Sequence, residues 1–293
     1  MAESTIHVVM LPWCAFGHLI PFFKLSIALA EAGVRVSFII STPKNIRRLP
    51  KLPSTLNHLL DLVQFPLPSL DKELLPEGAE ATTDIPLEKI QYLKLAYDLL
   101  QHAVKQFVTN QLPDWIICDF SPHWMPDIAQ ELKVKLIYYS VFSTCSMTTL
   151  GPIARKVPIP PESLLVPPEW VTFPSSVAFK RHEAIPFCAG ANQINPSRIS
   201  DLERLAKVLI SSEAVLFRSC HEIEGEYLDA YQKLDGKPVI PIDQPLNARF
   251  LVDKGLAMEV TKNEDGSFIG NDIATTLRQA MVLEESKKLR INA

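Results

Sequence analysis

The sequence predicts an α/β protein, a doubly wound parallel sheet over residues 1–242 followed by a short αβα unit over 243–293. Three observations predict it. Short apolar runs rich in Val, Ile and aromatic residues alternate with longer stretches of helical period, which is the pattern of βαβ crossovers. The opening, HVVMLPWCAFGHLIPFFKLSIALAEAG, runs from a strand through a turn at Gly17 into a helix. Hydrophobic residues make up 47% of the chain and charged residues 21%, so there is apolar material for a sizeable core.

Residues 6–13 read as a buried strand. Leu19, Phe22, Phe23, Ser26, Ile27 and Ala30 then recur at helical spacing. Pro21 is expected in that helix's first turn and Gly33 at its stop. A second strand over 34–41 ends before the polar KNIRR, and 62–67 is a short third strand. Residues 71–86 are acidic and irregular, and 87–108 form one long amphipathic helix. The strand 115–120 (WIICDF) carries Asp119 near its end. Ser121 is placed to cap the next helix, with Pro122 at its first position, and that helix runs to about 132. A strand over 136–141 precedes a helix from about 143. Prolines then cluster over 157–196, where turn chemistry predicts a long loop with short helical pieces. Regularity returns with a helix over 199–212, a strand over 214–219, a helix over 222–234 and a strand over 238–242. Beyond it DQPLNARFLVDKG reads as a capped helix, GLAMEV as a strand, NEDGSF as a turn and 273–290 as a charged helix.

Several function classes are disfavoured. The net charge is −4 with no basic stripe, which argues against nucleic acid as the main partner. The five cysteines are far apart and form no C-x-x-C, so neither a zinc ribbon nor a disulfide framework is indicated. No apolar run approaches the roughly 20 residues of a membrane span. MAESTIH lacks the features of a signal peptide, so a cytoplasmic protein with reduced thiols is expected. With only 10 glycines there is neither G-x-G-x-x-G nor a Walker loop, which counts against a nicotinamide-dependent oxidoreductase.

His18 lies where the first strand gives way to its helix, at the carboxyl edge where open α/β sheets build their sites. It is either a cap or packing residue or, in an apolar cleft lined by Phe16 and Leu19, a general base. Asp119 ends another strand and falls on the same edge. It is either a helix cap or the carboxylate that would fix the tautomer of His18. Phe142, Trp124 and Trp170 are core residues or ligand contacts, with Phe16, Trp124 and Phe142 the candidates for an acceptor wall. His221-Glu222 begins like a zinc motif, but Gly225 stands where its second histidine belongs. Lys180-Arg181-His182 reads as a solvated loop face. Asp243 either caps the helix opened by Pro245 or contacts a ligand.

Four stretches together resemble the plant UDP-sugar-dependent glycosyltransferases: WCAFGHLIPFFKLSIALAEAGVRVSFIISTPKNIRRLPKLP, PDWIICDFSPHWMPDIA, VPPEWVTFPSSVAFKRHEA and VLFRSCHEIEGEYLD. The likeness is greatest to the branch that extends sugars on flavonoid or terpenoid glycosides. It implies a GT-B fold of two Rossmann-like domains with the UDP-sugar between them. It implies His18 as catalytic base, Asp119 as its orienting carboxylate, and inverting displacement at the anomeric carbon without a metal or cofactor. The family's donor box has a Trp that stacks on uracil and a His-x-Gly-Trp-Asn-Ser run for the phosphates. Here only its closing acid–Gln pair is matched, by Asp243-Gln244 fused to PVIPI. Most of the donor domain is therefore expected to be missing. Two outcomes are carried forward: a transferase acting on an apolar plant metabolite, and a catalytically silent acceptor-binding remnant. The Pro-rich stretch 157–196 and the helix 87–108 are expected to shape the acceptor pocket. An uncovered apolar face is expected to favour self-association.

Overall fold

The computed structural model describes residues 6–40, 43–151 and 158–243. The chain divides into two compact units between Pro241 and Ile242, and the described residues belong almost wholly to the first.

Seven strands form one sheet in the order β3-β2-β1-β4-β5-β6-β7. They are β1 (His7–Leu11), β2 (Arg35–Ile40), β3 (Leu60–Gln64), β4 (Trp115–Cys118), β5 (Lys135–Ser140), β6 (Ala214–Ser219) and β7 (Val239–Asp243). β1 to β6 pair in parallel throughout. Every residue of β1 is buried, as a central strand covered by helices on both faces demands. The strand order reverses between β1 and β4, whose register sets Leu11 beside Cys118. The residues that follow these two strands therefore share the crevice where such sheets bind ligands.

The helices are α1 (Phe16–Glu31), α2 (Pro43–Arg48), α3 (Ile90–Asp98), α4 (Gln101–Gln111), α5 (Met125–Leu132), α6 (Thr144–Leu150), α7 (Arg181–Asn192), α8 (Asp201–Ser211) and α9 (His221–Asp235). α1 ends as expected. Gly33 takes φ +85°, its N–H bonds to Ala30 O at 3.0 Å, and the Val34 N–H reaches Leu29 O at 3.0 Å. These two bonds satisfy the last carbonyls of the helix, and the positive φ is why Gly is needed there.

Several sequence expectations are corrected. Pro21 lies beyond the first turn of α1; its missing N–H leaves the carbonyl of Gly17, an exposed residue, to solvent. The third strand is Leu60–Gln64, and KNIRR belongs to α2, a helix of six residues, too short to show a period. The long helix over 87–108 is broken at Leu99-Leu100, where the Leu100 N–H turns back to Tyr97 O at 3.0 Å, an i→i−3 bond that tightens the chain. Ser121 and Pro122 do not open α5. That helix starts at Met125 with Pro126 in its first turn. The Pro-rich stretch holds α7, a helix of 12 residues, hidden in the sequence by Pro186 and Gly190 within it. The carbonyl that Pro186 leaves unpaired is that of exposed His182, and the Glu183 carboxylate accepts the Lys180 N–H at 2.8 Å to start the helix.

Helices α3 and α8 meet through charge. Lys94 and Asp98 are one turn apart on α3; Asp201 and Arg204 are one turn apart on α8. Lys94 pairs with Asp201 at 2.5 Å, and Arg204 pairs with Asp98 through two bonds of 2.8 and 2.5 Å. Arg204 is wholly buried and also donates to Ser121 O at 2.9 Å, next to the carboxyl end of β4.

Candidate active site

His18 sits in the first turn of α1 because β1 delivers the chain to the sheet edge and the Pro12–Ala15 turn hands it to the helix. The backbone N–H groups of His18 and Leu19 both donate to Ala15 O at 2.8 Å. Its side chain is 10% exposed. Asp119 follows β4 immediately and is 1% exposed. The His18 Nδ1 lies 2.8 Å from Asp119 Oδ2.

Asp119 is held through both of its oxygens. Oδ2 also accepts the Trp13 N–H at 2.6 Å, and Oδ1 accepts the Ser121 N–H at 2.9 Å. Two backbone N–H groups and the imidazole thus converge on one buried carboxylate. A carboxylate oxygen that already accepts the Trp13 N–H accepts again from His18, so the proton of a neutral imidazole is placed on Nδ1 and the Nε2 lone pair is left free. Asp119 is not a helix cap, since α5 begins only at Met125. One oxygen makes the local turn at Ser121 and the other orients His18.

The rings of Phe120 and Phe142 flank the imidazole at 5.8 and 5.9 Å. Both also line a cavity of about 450 Å³. Its other walls come from α6 (Ser146, Met147, Leu150), from Phe179 and α7 (Pro186, Phe187, Gly190, Ala191), and from α8 (Asp201, Leu202, Leu205). It is the right size for a small organic molecule and is almost entirely apolar. His18 thus stands at the edge of an apolar chamber with a proton-accepting nitrogen available.

Phe142 is brought to this chamber, and Phe16 and Trp124 are not. Phe16 lies under the Arg48 guanidinium at 5.7 Å. Trp124 is 3% exposed and stacks in the core 6.3 Å from Tyr97. Trp170 donates its ring N–H to Thr148 O at 2.7 Å and borders a different hollow. The Pro-rich stretch does form a wall of the chamber, through Phe179 and α7. Among the lining residues the helix over 87–108 contributes none, and its part is played by Lys94 through Asp201. Lys180 precedes α7, and exposed Arg181 and His182 open it. Asp243 ends β7; its side chain, Gln244 and the tail elements lie outside the described residues.

Sequence reasoning missed two supporting groups. Glu224, where α9 kinks at φ −127° and ψ 25°, accepts the Thr144 and Cys145 N–H groups, each at 3.0 Å. It thereby anchors the start of α6, next to Phe142. These bonds and one from Ser219, opposed by burial, hold the Glu224 carboxyl below its ordinary range. The second is the Arg204–Asp98 pair. Although burial opposes ionisation of Asp98, Arg204 and His123 bring its carboxyl down to about 2. Among the described residues no group of His, Cys, Asp or Glu could hold a metal ion, and no helix is long and apolar enough to cross a membrane.

No family model matches the sequence. Curated relatives do. UDP-glycosyltransferase 91C1 of Arabidopsis thaliana is 41% identical over 243 residues, which cover 82% of this chain and 52% of that protein. UDP-glycosyltransferase 91D1 of Stevia rebaudiana is 38% identical over 246 residues, 82% of this chain and 49% of that protein. A protein of Glycine max named inactive UDP-glycosyltransferase 79A6 is 31% identical over 245 residues, 82% of this chain and 75% of that protein. The chain belongs to the UDP-glycosyltransferase family.

The chain spans about half the length of the first two of these glycosyltransferases. Solved structures agree on the fold. UGT73P12 of Glycyrrhiza uralensis, complexed with glycyrrhetinic acid 3-O-monoglucuronide, matches with a TM-score of 0.60 at 19% identity, over 82% of this chain and 49% of that one. UGT2 of Phytolacca americana, complexed with UDP-2fluoro-glucose and pterostilbene, matches with a TM-score of 0.54 at 16% identity, over 92% of this chain and 62% of that one. The sheet and its flanking helices are thus about half of the GT-B fold of plant UDP-glycosyltransferases.

Proposed function

We propose that this chain supplies the acceptor-binding half, with the catalytic base, of an inverting UDP-sugar-dependent glycosyltransferase acting on a hydroxyl of an apolar plant metabolite, of the flavonoid or terpenoid kind and already glycosylated. The single observation that carries the reading is His18 Nδ1 held 2.8 Å from a buried carboxylate while the ring packs against Phe120 and Phe142, two walls of an apolar cavity. His18 Nε2 takes the proton of the acceptor hydroxyl. The oxygen bonds to the anomeric carbon as the carbon–oxygen bond to UDP breaks, and that electron pair leaves on the diphosphate. Asp119 stabilises the imidazolium that results. A base so positioned is worth roughly 10²–10⁴ in rate. No metal is assigned a part, Asp243 and Gln244 are assigned to the donor sugar, and the protein is placed in the cytoplasm.

The test is turnover of UDP-glucose with a panel of flavonoid and terpenoid glycosides and of phenolic aglycones, pterostilbene among them, with and without EDTA. His18→Ala should abolish transfer, EDTA should leave it unchanged, and the product should carry the inverted anomeric configuration. Transfer by His18→Ala at the unaltered rate would overturn the assignment.

A second reading is favoured by one observation. The match to the inactive 79A6 protein and the match to UDP-glycosyltransferase 79A6 of Glycine max both span 245 residues, yet they fill 75% of the inactive protein and 51% of the other. The inactive relative is the shorter one. On this reading the present chain binds acceptors and transfers nothing. Calorimetry with UDP and UDP-glucose separates the two: saturable binding tighter than about millimolar contradicts silence.

A further inference from the structure

The cavity beside His18 holds one charged side chain, and the proposed function gives it no part. Asp201 lines the chamber from the first turn of α8. Both of its oxygens are held by Lys94 Nζ, at 2.6 and 2.5 Å. Lys94 is 11% exposed and its ammonium sits 5.9 Å from the centre of the Phe120 ring, whose other neighbour at 5.8 Å is the His18 imidazole. One ring therefore separates the ion pair from the base.

A carboxylate accepts about four hydrogen bonds. Lys94 occupies one side of it, and the Asp201 side chain remains 34% exposed. The chamber's other walls are mainly apolar, Phe120, Phe142, Met147, Phe187 and Leu205 among them, and the Ser146 hydroxyl there is already engaged with Ser143 Oγ at 2.7 Å, so an open acceptor on a fixed carboxylate is rare and directional. Because Lys94 cancels its charge, the site offers neither a lone anion for a cationic ligand nor a free cation for a carboxylate ligand. What it suits is a neutral hydroxyl.

We propose that Asp201, held by Lys94, is the second polar anchor of the acceptor cavity and selects neutral apolar acceptors that carry a hydroxyl donor remote from the one presented to His18. The inference rests on the cavity being the acceptor site. It makes Asp201 a specificity-determining residue, with Lys94 positioning it. Acceptors whose remote hydroxyl is methylated, or replaced by a carboxylate, bind less well because the carboxylate of Asp201 is then left without a donor or faces like charge.

The test reads binding by the full chain, so it does not depend on turnover. Resveratrol and pterostilbene share a stilbene skeleton and differ in two hydroxyls that pterostilbene carries as methyl ethers. By fluorescence titration the unaltered protein should prefer resveratrol by roughly tenfold, the worth of one hydrogen bond to a charged group. Asp201→Leu alone leaves Lys94 buried without its partner, so Lys94→Met/Asp201→Leu is the principal variant. It should keep pterostilbene affinity within about twofold and erase the preference. Thermal melting confirms that it folds, and a merely structural pair would move the melting temperature and leave the preference intact. A preference unchanged in the folded double variant overturns the inference, as does the absence of any preference in the unaltered protein. Gly190→Trp tests the underlying reading separately, since a side chain built on Gly190 meets nothing within 4 Å and would fill the chamber. Loss of both ligands in that variant upholds the cavity as the acceptor site even if Asp201 proves silent. Binding unaffected by it overturns both.

Discussion

On the strand side of the chamber the groups proposed to carry the chemistry are tied to backbone. Asp119 takes N–H groups from Trp13 and Ser121, two segments that follow adjacent parallel strands, and passes the constraint to His18. On the helix side, Phe179, α7 and α8 close the cavity by apolar contact, with Phe179 and Phe187 rings 5.1 Å apart and Gly190 leaving open space. Hydrogen bonds to a sheet edge fix direction as well as distance, whereas apolar contacts fix only volume. The two walls should therefore respond differently to substitution. The strand wall should fail abruptly and the helix wall by degrees.

The largest effect should follow from Asp119→Asn. The amide has one acceptor oxygen where the carboxylate has two, so it cannot serve Trp13, Ser121 and His18 together. If its NH₂ donates to His18 Nδ1, the ring proton moves to Nε2 and the base is lost, a change of tautomer that costs on the order of 10⁴ in turnover where a carboxylate orients a catalytic histidine. Nitrogen chemical shifts of the His18 ring read this directly. An Asp119→Asn protein whose Nε2 stays unprotonated would break the comparison on its strand side.

Next is the buried pair that braces the strand wall from below. Arg204→Met leaves Asp98 largely buried with His123 and Ser197 but without its guanidinium partner, and withdraws the donor to Ser121 O, with an expected loss toward the lower end of roughly 3–5 kcal/mol of unfolding free energy. Arg204→Met/Asp98→Leu should recover most of it, as replacing both members of a buried pair commonly does. Urea denaturation of both variants decides it, and equal losses in single and double variants would refute the account. The same pair predicts an acid limb. The folded Asp98 carboxyl is lowered to about 2, so its contribution is fully present above the unfolded value near 4 and is lost as pH falls from there toward 2. In the Asp98→Asn protein the stability should change less over that interval, by roughly 2 kcal/mol.

The two walls also differ in how far the sequence disclosed them. His18 and Asp119 were legible because strand ends in an α/β alternation fall on one edge, whatever the order of the strands. The adjacency of β1 and β4 was not legible, since the pairing of strands about a hundred residues apart leaves no local mark. The helix wall was obscured for other reasons. Pro186 and Gly190 break the pattern of α7, so the sequence reads as a loop. Lys94, Asp201 and Arg204 look like the polar faces of surface helices; only the meeting of α3 with α8 turns them inward. Phe16 and Trp124 show the reverse error, because an aromatic near a site residue in sequence need not face the same chamber.

The smallest effect should come from the helix wall. Phe179→Ala removes a ring that is only partly buried, so its cost should fall well below the roughly 3–5 kcal/mol of a buried phenylalanine, at about 1–2 kcal/mol. The ring's partner Phe187 can relax toward the space: the hydrogen bonds on this side hold the Phe179 backbone, the end of α7 and the polar face of α8, while the two rings meet only by apolar contact. Function should shift more than stability does. A wider chamber should weaken binding of flat aromatic ligands severalfold and admit bulkier ones, while leaving the tautomer of His18 unchanged. Paired measurements of urea midpoint and acceptor affinity for Phe179→Ala check this. If the substitution destabilised the protein as much as Arg204→Met does, or altered the His18 ring shifts, the helix wall would be as rigidly coupled to the base as the strand wall, and the distinction between them would fail.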